Sequence, residues 1–254
     1  MFHKLIQDGN DYYLSNKREF RPIHKFQNKE IDKAYNFAFG MTFGKSGEHR
    51  KCRSGGRYIR KNGEVFINTF QGKLCEFGIM SFFNKNRIEC SEPDLSQWNL
   101  GMWDTIDLLA NNKKINIKST KFFGNLFLLE TKDWDSNGAY IPNCKKGDSH
   151  YDFFILTRIK PSGESIMKKK RILYNDSLPA GVDLDEIIKE NGPWEFDIAG
   201  FITHEDLIWL INSNYVLPQN SLLNERTRMD AENFYVQSGD MKEPHLLLKL
   251  LNTA

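Results

Sequence analysis

The sequence predicts a mixed α/β fold in which a central mixed β-sheet is flanked by helices. Three observations predict it. A long segment after residue 62 carries apolar side chains in stripes at helical spacing. A series of strand-like segments follows between residues 103 and 160. Strand–helix alternation then runs from residue 194 toward residue 251. Helices, then a meander of strands, then strand–helix units suggest one sheet with helices packed on both of its faces.

The chain of 254 residues fits a single domain spanning 1–254, with residues 1–62 set apart as an N-terminal arm and basic loop. At 40% hydrophobic and 27% charged residues, with 19 Phe, the composition is that of a folded globular protein and excludes a disordered chain. The net charge of +2 demands no polyanionic partner, so any basic surface must come from local clustering. Cys52, Cys75, Cys90 and Cys144 show no CxxC spacing. That argues against a zinc ribbon or a disulfide framework and for reduced thiols in a cytoplasmic protein. The stretch MFHKLIQDGN has no apolar core, so no signal peptide is expected there. No apolar run approaches the roughly 18 residues of a membrane span.

Residues 1–27 are polar and carry no periodicity. From Asn28 to Phe43, Ile31, Ala34, Tyr35, Ala38 and Phe39 recur at helical spacing. Gly44 to Lys61 holds seven Lys or Arg against one Glu, with four glycines, and reads as a flexible basic loop or a bent ribbon. Glu64 to Asn84 reads as a long helix, with Phe66, Phe70, Leu74 and Phe77 on one stripe. Glu76, Met80 and Phe83 form the neighbouring stripe, which sets Glu76 at the flank of the buried face. Strands are expected at Trp103–Ala110, Lys113–Ser119, Asn125–Glu130 and Tyr151–Lys160. The apolar run Phe153-Phe154-Ile155-Leu156 suits a strand covered on both faces. Further strands are expected at Trp194–Ile202 and Asn233–Gln237, a helix after the Thr203 cap, and a closing helix at His245–Leu251. Thr131–His150 and Ser162–Glu190 are long connections.

The candidate chemistry sits on the hairpin from Trp103 to Lys121. Asn111-Asn112 suits a two-residue turn because Asn tolerates positive φ. Opposed residues then have numbers summing to 223, so Asp107 faces Asn116 and Thr105 faces Lys118. Strand parity puts Asp107, Asn116 and Lys118 on one side and Asp104 on the other. Opposed side chains lie about 4.5–5.5 Å apart at Cβ, close enough for two oxygens to share a cation. Hydrolysis of a phosphodiester needs an activated water and a stabilised negative charge. A divalent cation on oxygen ligands supplies both, and a neighbouring lysine can orient the water.

The run Asp107-Leu-Leu-Ala-Asn-Asn-Lys-Lys-Ile-Asn116-Ile-Lys118 resembles the core motif of the PD-(D/E)xK nucleases: an Asp ending one strand, then acid-x-Lys on the next, often with a helical Glu upstream. The resemblance covers roughly residues 64–160 and implies a restriction-endonuclease-like core. It implies metal ligation by Asp107, by the Ile117 carbonyl and by Glu76, directly or through water, with Lys118 positioning the attacking water. Asn116 departs from the pattern, standing where the family has Asp or Glu; its amide oxygen still ligates a hard cation but brings no charge. The implied cofactor is Mg²⁺, with Mn²⁺ as a substitute. The implied activity is sequence-specific cleavage of double-stranded DNA by a homodimer, as in the restriction enzymes of restriction–modification systems. A structure-selective repair or phage nuclease and a catalytically inactive DNA-binding module stand as alternatives.

Lys45, Arg50, Lys51, Arg53, Arg57, Arg60 and Lys61, with Tyr58 among them, are candidate DNA contacts, to phosphates or guanine edges. Lys168, Lys169 and Lys170, followed by Arg171, form a second basic run. Gly44-Lys45-Ser46 is not a phosphate-binding loop, because Phe39 stands where that motif needs glycine, so no nucleotide cofactor is expected. His204-Glu205-Asp206 reads as the first turn of a helix, where acids suit the dipole, and Asp152 as structural.

Overall fold

The computed structural model describes residues 2–44, 46–47, 51–52, 54–96, 106–146 and 149–252. The chain is mixed α/β, with six α-helices among these residues. The order is β1 (Ile6–Asp8), β2 (Asp11–Tyr13), β3 (His24–Lys25), α1 (Asn28–Gly40), α2 (Asn62–Lys85), β4 (Leu108–Ala110), β5 (Lys113–Lys121) and β6 (Leu126–Glu130). There follow β7 (Phe153–Lys160), α3 (Gly163–Lys169), α4 (Leu184–Glu190), β8 (Glu195–Thr203) and α5 (His204–Asn212). The last elements are β9 (Val216–Leu217), β10 (Leu222–Leu223), β11 (Thr227–Arg228), β12 (Asn233–Gln237) and α6 (Pro244–Asn252). No helix among the described residues is long and apolar enough to cross a membrane. The four cysteines are free thiols.

The central sheet has five strands in the order β3-β8-β7-β5-β4. It is mixed: β5 and β7 are parallel, while β4–β5, β7–β8 and β3–β8 are antiparallel. Alternation along β7 divides the interior in two. Phe153, Ile155 and Ile159 join the core beneath α2, with Ile115, Leu108, Ala110 and Phe196 from the neighbouring strands. Phe154 and Leu156 join a second core on the opposite face. A continuous apolar run is what a strand buried on both faces requires.

The helical face is organised by α2. Phe66, Ile67, Phe70, Leu74, Cys75, Ile79 and Phe83 are at most 1% exposed, so the helix is surrounded, not merely amphipathic. Gly78 permits its close seat on the sheet, since a Cβ there would lie 2.9 Å from the Phe196 ring. The other face departs from expectation. Helices were expected to cover it, yet its main cover is a second sheet, β6-β12-β9, with α5 beside it. Asn125–Glu130 and Asn233–Gln237 are indeed strands, but they pair with each other and not with the central sheet. Phe127 of β6 meets Phe154 edge-on, joining the two layers.

Residues 2–27 are tied into the fold. β1 and β2 form a hairpin that pairs with β10, and β3 pairs with β8. Residues between them cross the sheet and are tied down by buried polar groups. Arg158 on β7, 1% exposed, directs all five guanidinium donors inward. Nε and Nη2 hold the Asp197 carboxylate at 2.9 and 2.6 Å. Nη1 reaches the Arg18 carbonyl (2.6 Å) and Asn125 Oδ1 (3.0 Å), and Nη2 reaches the Glu19 carbonyl (2.7 Å). Gln237 Oε1 accepts from the Ser15 and Asn16 N–H groups. Arg18 in turn donates to the Ala199 carbonyl beside Gly200, whose φ of +153° and crowding by Met241 leave no room for a side chain.

Two short helices, α3 and α4, occupy the connection Ser162–Glu190, where no element was expected. The Thr203 cap behaves as expected: its hydroxyl accepts from the Asp206 N–H, and the Asp206 carboxylate returns to the Thr203 N–H. Glu205 and Asp206 therefore serve the helix terminus, and Lys242 pairs with Asp206.

Candidate functional site

The hairpin forms in the register that the turn dictates. Asn111 and Asn112 have φ of 44° and 61°, and the pairs are Leu108↔Ile115, Leu109↔Lys114 and Ala110↔Lys113. Each pair sums to 223. Asn111 also fixes the turn in space: its Oδ1 accepts from the Glu89 N–H and its Nδ2 donates to the Leu251 carbonyl of α6. The expected strand over Trp103–Ala110 is shorter, beginning at Leu108. Trp103, Asp104 and Thr105 lie outside the described residues.

Because β4 begins at Leu108, Asp107 sits one position before it and does not pair through its backbone. Its carboxylate does so instead. Asp107 Oδ2 accepts the Ile117 N–H at 2.6 Å, so the side chain caps the edge of β5 where the ladder stops. Burial raises the Asp107 carboxyl above its ordinary value, against the opposing pull of the Lys118 ammonium, the Ile117 N–H and the Lys73 ammonium.

Ile115 and Ile117 pack into the core beneath α2, so strand parity turns Asn116 and Lys118 to the other face. Asn116 is 6% exposed, and its Oδ1 is buried with no hydrogen-bond partner among the described residues. Leaving such an acceptor unpaired costs about 1–3 kcal/mol, and a fold seldom tolerates it without a reason. The Lys118 carbonyl accepts from Thr157 Oγ1 at 3.0 Å, which anchors this part of β5 to β7. The lysine's ammonium is the leading charge acting on Asp107.

Glu76 approaches from α2, on the helix-covered side. Its carboxylate accepts from Lys73 Nζ at 2.6 Å, in a pair whose side chains are only 7% and 12% exposed. Lys73 also donates to the Asp94 carbonyl (2.8 Å) and sits 4.7 Å from the centre of the Phe37 ring. Lys73 is the residue that reading the sequence missed. The available signal was a lysine three positions before Glu76 inside an otherwise apolar helical stretch, where an i,i+3 partner faces the same way. Asp107, Asn116 and Lys118 thus share the hairpin, while Glu76 is paired with Lys73 on α2.

Asn116 Oδ1, unpartnered among the described residues, and the Asp107 carboxylate are both oxygen donors of the kind a hard divalent cation takes. Glu76 does not present itself in the same way, because Lys73 already occupies its carboxylate.

The basic loop lies at the opposite end of α2, about 20 Å along the helix from Glu76 at 1.5 Å per residue. Lys45, Arg50 and Arg53 lie outside the described residues. Lys61 and Lys51 reach Asp176 at 2.7 and 3.8 Å. The Arg57 and Tyr58 N–H groups donate to Asp230, the Tyr58 hydroxyl to Glu64, and Arg60 Nε to the Lys51 carbonyl. The backbone at Arg57 and Tyr58 is therefore pinned by the Asp230 carboxylate. Lys168 and Lys169 end α3 and Lys170 caps it, all three exposed.

Comparison of the chain with protein-family models, with curated proteins and with solved structures finds no match in any of the three.

Proposed function

We propose that this chain is a divalent-cation-dependent endonuclease for double-stranded DNA, built on a restriction-endonuclease-like core. The observation that carries the reading is the cluster on the hairpin. The Asp107 carboxylate is tied to the Ile117 N–H, beside a buried Asn116 whose Oδ1 has no partner among the described residues, and Lys118 follows two residues later on the same strand. An unpaired buried acceptor beside a carboxylate is what a ligand site leaves behind when its ligand is considered apart from it.

In this reading Asp107 and Asn116 hold Mg²⁺ or Mn²⁺, with the Ile117 carbonyl as the ligand that the family resemblance implies. The bound ion would acidify water and draw charge from the phosphate. The chain's own groups do the rest. The Ile117 N–H fixes the Asp107 carboxylate in direction. Lys118 holds a phosphate oxygen or the attacking water by hydrogen bond and offsets charge as the phosphorus centre becomes five-coordinate. The exposed lysines of residues 168–170 and the basic loop would contact backbone phosphates, with sequence preference and a homodimeric arrangement as further parts of the proposal.

The test is cleavage of supercoiled plasmid by the purified chain with Mg²⁺. Nicked or linear product that vanishes with EDTA and with Lys118→Ala supports the reading. Equal cleavage by wild type and Lys118→Ala removes the site from the mechanism, and no cleavage with any divalent ion removes the activity.

One specific observation favours a second reading, a DNA-binding module without catalysis. Asn116 brings no charge, and Glu76 is committed to Lys73. Salt-dependent DNA binding without cleavage would select it.

A further inference from the structure

We infer that His150 and His204 form a metal site of their own, a two-imidazole chelate for a borderline divalent transition ion such as Zn²⁺. The ion would tie the connection 131–150 to the first turn of α5. The inference does not rest on the nuclease reading and uses none of the hairpin residues.

The two histidines are far apart in sequence, and the fold brings them together. His150 stands two residues before Asp152, whose carbonyl accepts the His204 N–H at 3.1 Å. That bond fixes the first residue of α5 beside the entry to β7. The two imidazole ring centres then lie 4.1 Å apart, with the rings inclined at 50°. Two imidazoles on one tetrahedral zinc have ring centres roughly 5 Å apart, given a Zn–N distance of about 2.0–2.1 Å, so the pair has to open by only about 1 Å to share an ion.

The His204 ring lacks a partner. Its Nδ1 is buried and makes no hydrogen bond among the described residues. Gly138, at a φ of +72°, backs the ring on another side: a Cβ there would lie 2.9 Å from His204 Cε1 and 3.4 Å from Nε2. Nδ1 is the nitrogen left for a ligand. His150 carries a matching arrangement. Asp152 Oδ1 lies 4.0 Å from its Nε2, and Asp152 is itself held by the Lys114 N–H at 2.8 Å and the Lys113 ammonium at 3.4 Å. A carboxylate beside one nitrogen of an imidazole leaves the other for an ion. Burial, and then the neighbouring His204 ring, hold the His150 imidazole below its ordinary value, which favours the neutral form that ligates.

The donor atoms choose the metal. Imidazole nitrogen suits Zn²⁺, Ni²⁺ and Cu²⁺, whereas Mg²⁺ prefers oxygen. Among the described residues no group of three His, Cys, Asp or Glu side chains is placed to hold an ion, so the chain supplies two ligands here and water the rest. The partial positive charge of the α5 N-terminus opposes a cation, and Glu205 and Asp206 in the same turn offset it.

The test is calorimetric titration of the whole chain with Zn²⁺ in excess Mg²⁺, which competes for oxygen sites but not for imidazoles. His150→Gln and His204→Gln should each weaken Zn²⁺ binding by at least about tenfold. Zn²⁺ should raise the Tm of the wild type and leave that of both variants unmoved. The His150 side chain is 56% exposed, so His150→Gln keeps the fold and its metal-free Tm. Asp107→Asn should bind Zn²⁺ within about twofold of wild type, because it shares no partner with the pair. Co²⁺ in place of Zn²⁺ should give a spectrum without thiolate-to-cobalt charge transfer.

Four results overturn the inference: no uptake of submillimolar Zn²⁺ by the wild type, equal binding by wild type and His150→Gln, a loss of about tenfold or more in Asp107→Asn, or a thiolate charge-transfer band, which would put the ion on a cysteine. None of these readouts uses cleavage. An uncleaved plasmid would sink the nuclease reading while leaving the histidine site standing, and the reverse combination is equally visible.

Discussion

Arg158→Met offers the sharpest test of how the two faces of the central sheet are held together. The side chain is 1% exposed and its Asp197 partner 3%, so water cannot replace what the substitution removes. Five hydrogen bonds are lost together. Asp197 keeps the Arg21 N–H at 2.8 Å but is left as a buried charge without a cation. The Arg18 and Glu19 carbonyls lose their guanidinium donors at the same time. Breaking one side of a buried pair costs about 3–5 kcal/mol, and the additional stranded carbonyls place this case at the upper end. For a chain of this size, about 4 kcal/mol corresponds to a fall in Tm of roughly 8–16 °C. Urea unfolding followed by fluorescence and by circular dichroism gives the free energy, and agreement of the two probes checks that unfolding is two-state. Adding Asp197→Asn to Arg158→Met should recover at least about 1 kcal/mol, because it removes the stranded charge. A loss below about 1 kcal/mol for Arg158→Met would refute the reasoning, as would a double variant less stable than the single one.

The remaining predictions concern the hairpin. Burial lifts the Asp107 carboxyl above its ordinary 3.8, so the folded chain holds that proton more tightly than the unfolded chain does. Its contribution to stability is therefore greatest at acid pH and is lost as pH rises through the lifted value. Asp107→Asn should raise Tm at neutral pH, flatten that part of the pH profile and abolish cleavage; a lower Tm at neutral pH would contradict the burial argument. Asn112→Gly should change stability by no more than about 0.5 kcal/mol, since both residues accept positive φ. Asn111→Gly should cost about 1–3 kcal/mol in urea unfolding, because it loses two side-chain hydrogen bonds at about 0.5–1.5 kcal/mol each. Asn116→Asp restores the charge that the family pattern carries and should tighten Mn²⁺ binding in a calorimetric titration; unchanged or weaker binding would show that Asn116 does not face the cation.

What was legible in the sequence follows from what each signal encodes. The hairpin register was readable because two consecutive asparagines accept positive φ, and period-two alternation then leaves no freedom. The strand over Phe153–Leu156 was readable because only double-sided burial tolerates so many apolar residues in a row. Membership of sheets was not readable: Leu126–Glu130 and Asn233–Gln237 look like strands, but alternation does not say which neighbour they pair with. Strands of two or three residues, such as β3 and β9, are too short to show any period. The seven-residue helices α3 and α4 were hidden in a stretch marked by Pro161, Pro179 and a basic run. At the candidate site, chain order grouped Asp107, Asn116 and Lys118 because they lie on one hairpin. It did not disclose the contacts of Lys73, whose partners Phe37 and Asp94 come from distant segments.

The strap formed by the first residues carries a consequence for biogenesis. His3 bonds to Asp240, Ser15 to Gln237 and Arg18 to Ser238, at separations of 237, 222 and 220 residues. On a ribosome these early residues emerge long before any of their partners exist. They must wait, polar and unpaired, while the sheet beneath them is still being synthesised. The strap can therefore close only after residue 240 has left the exit tunnel, so the first residues to be made are among the last to dock.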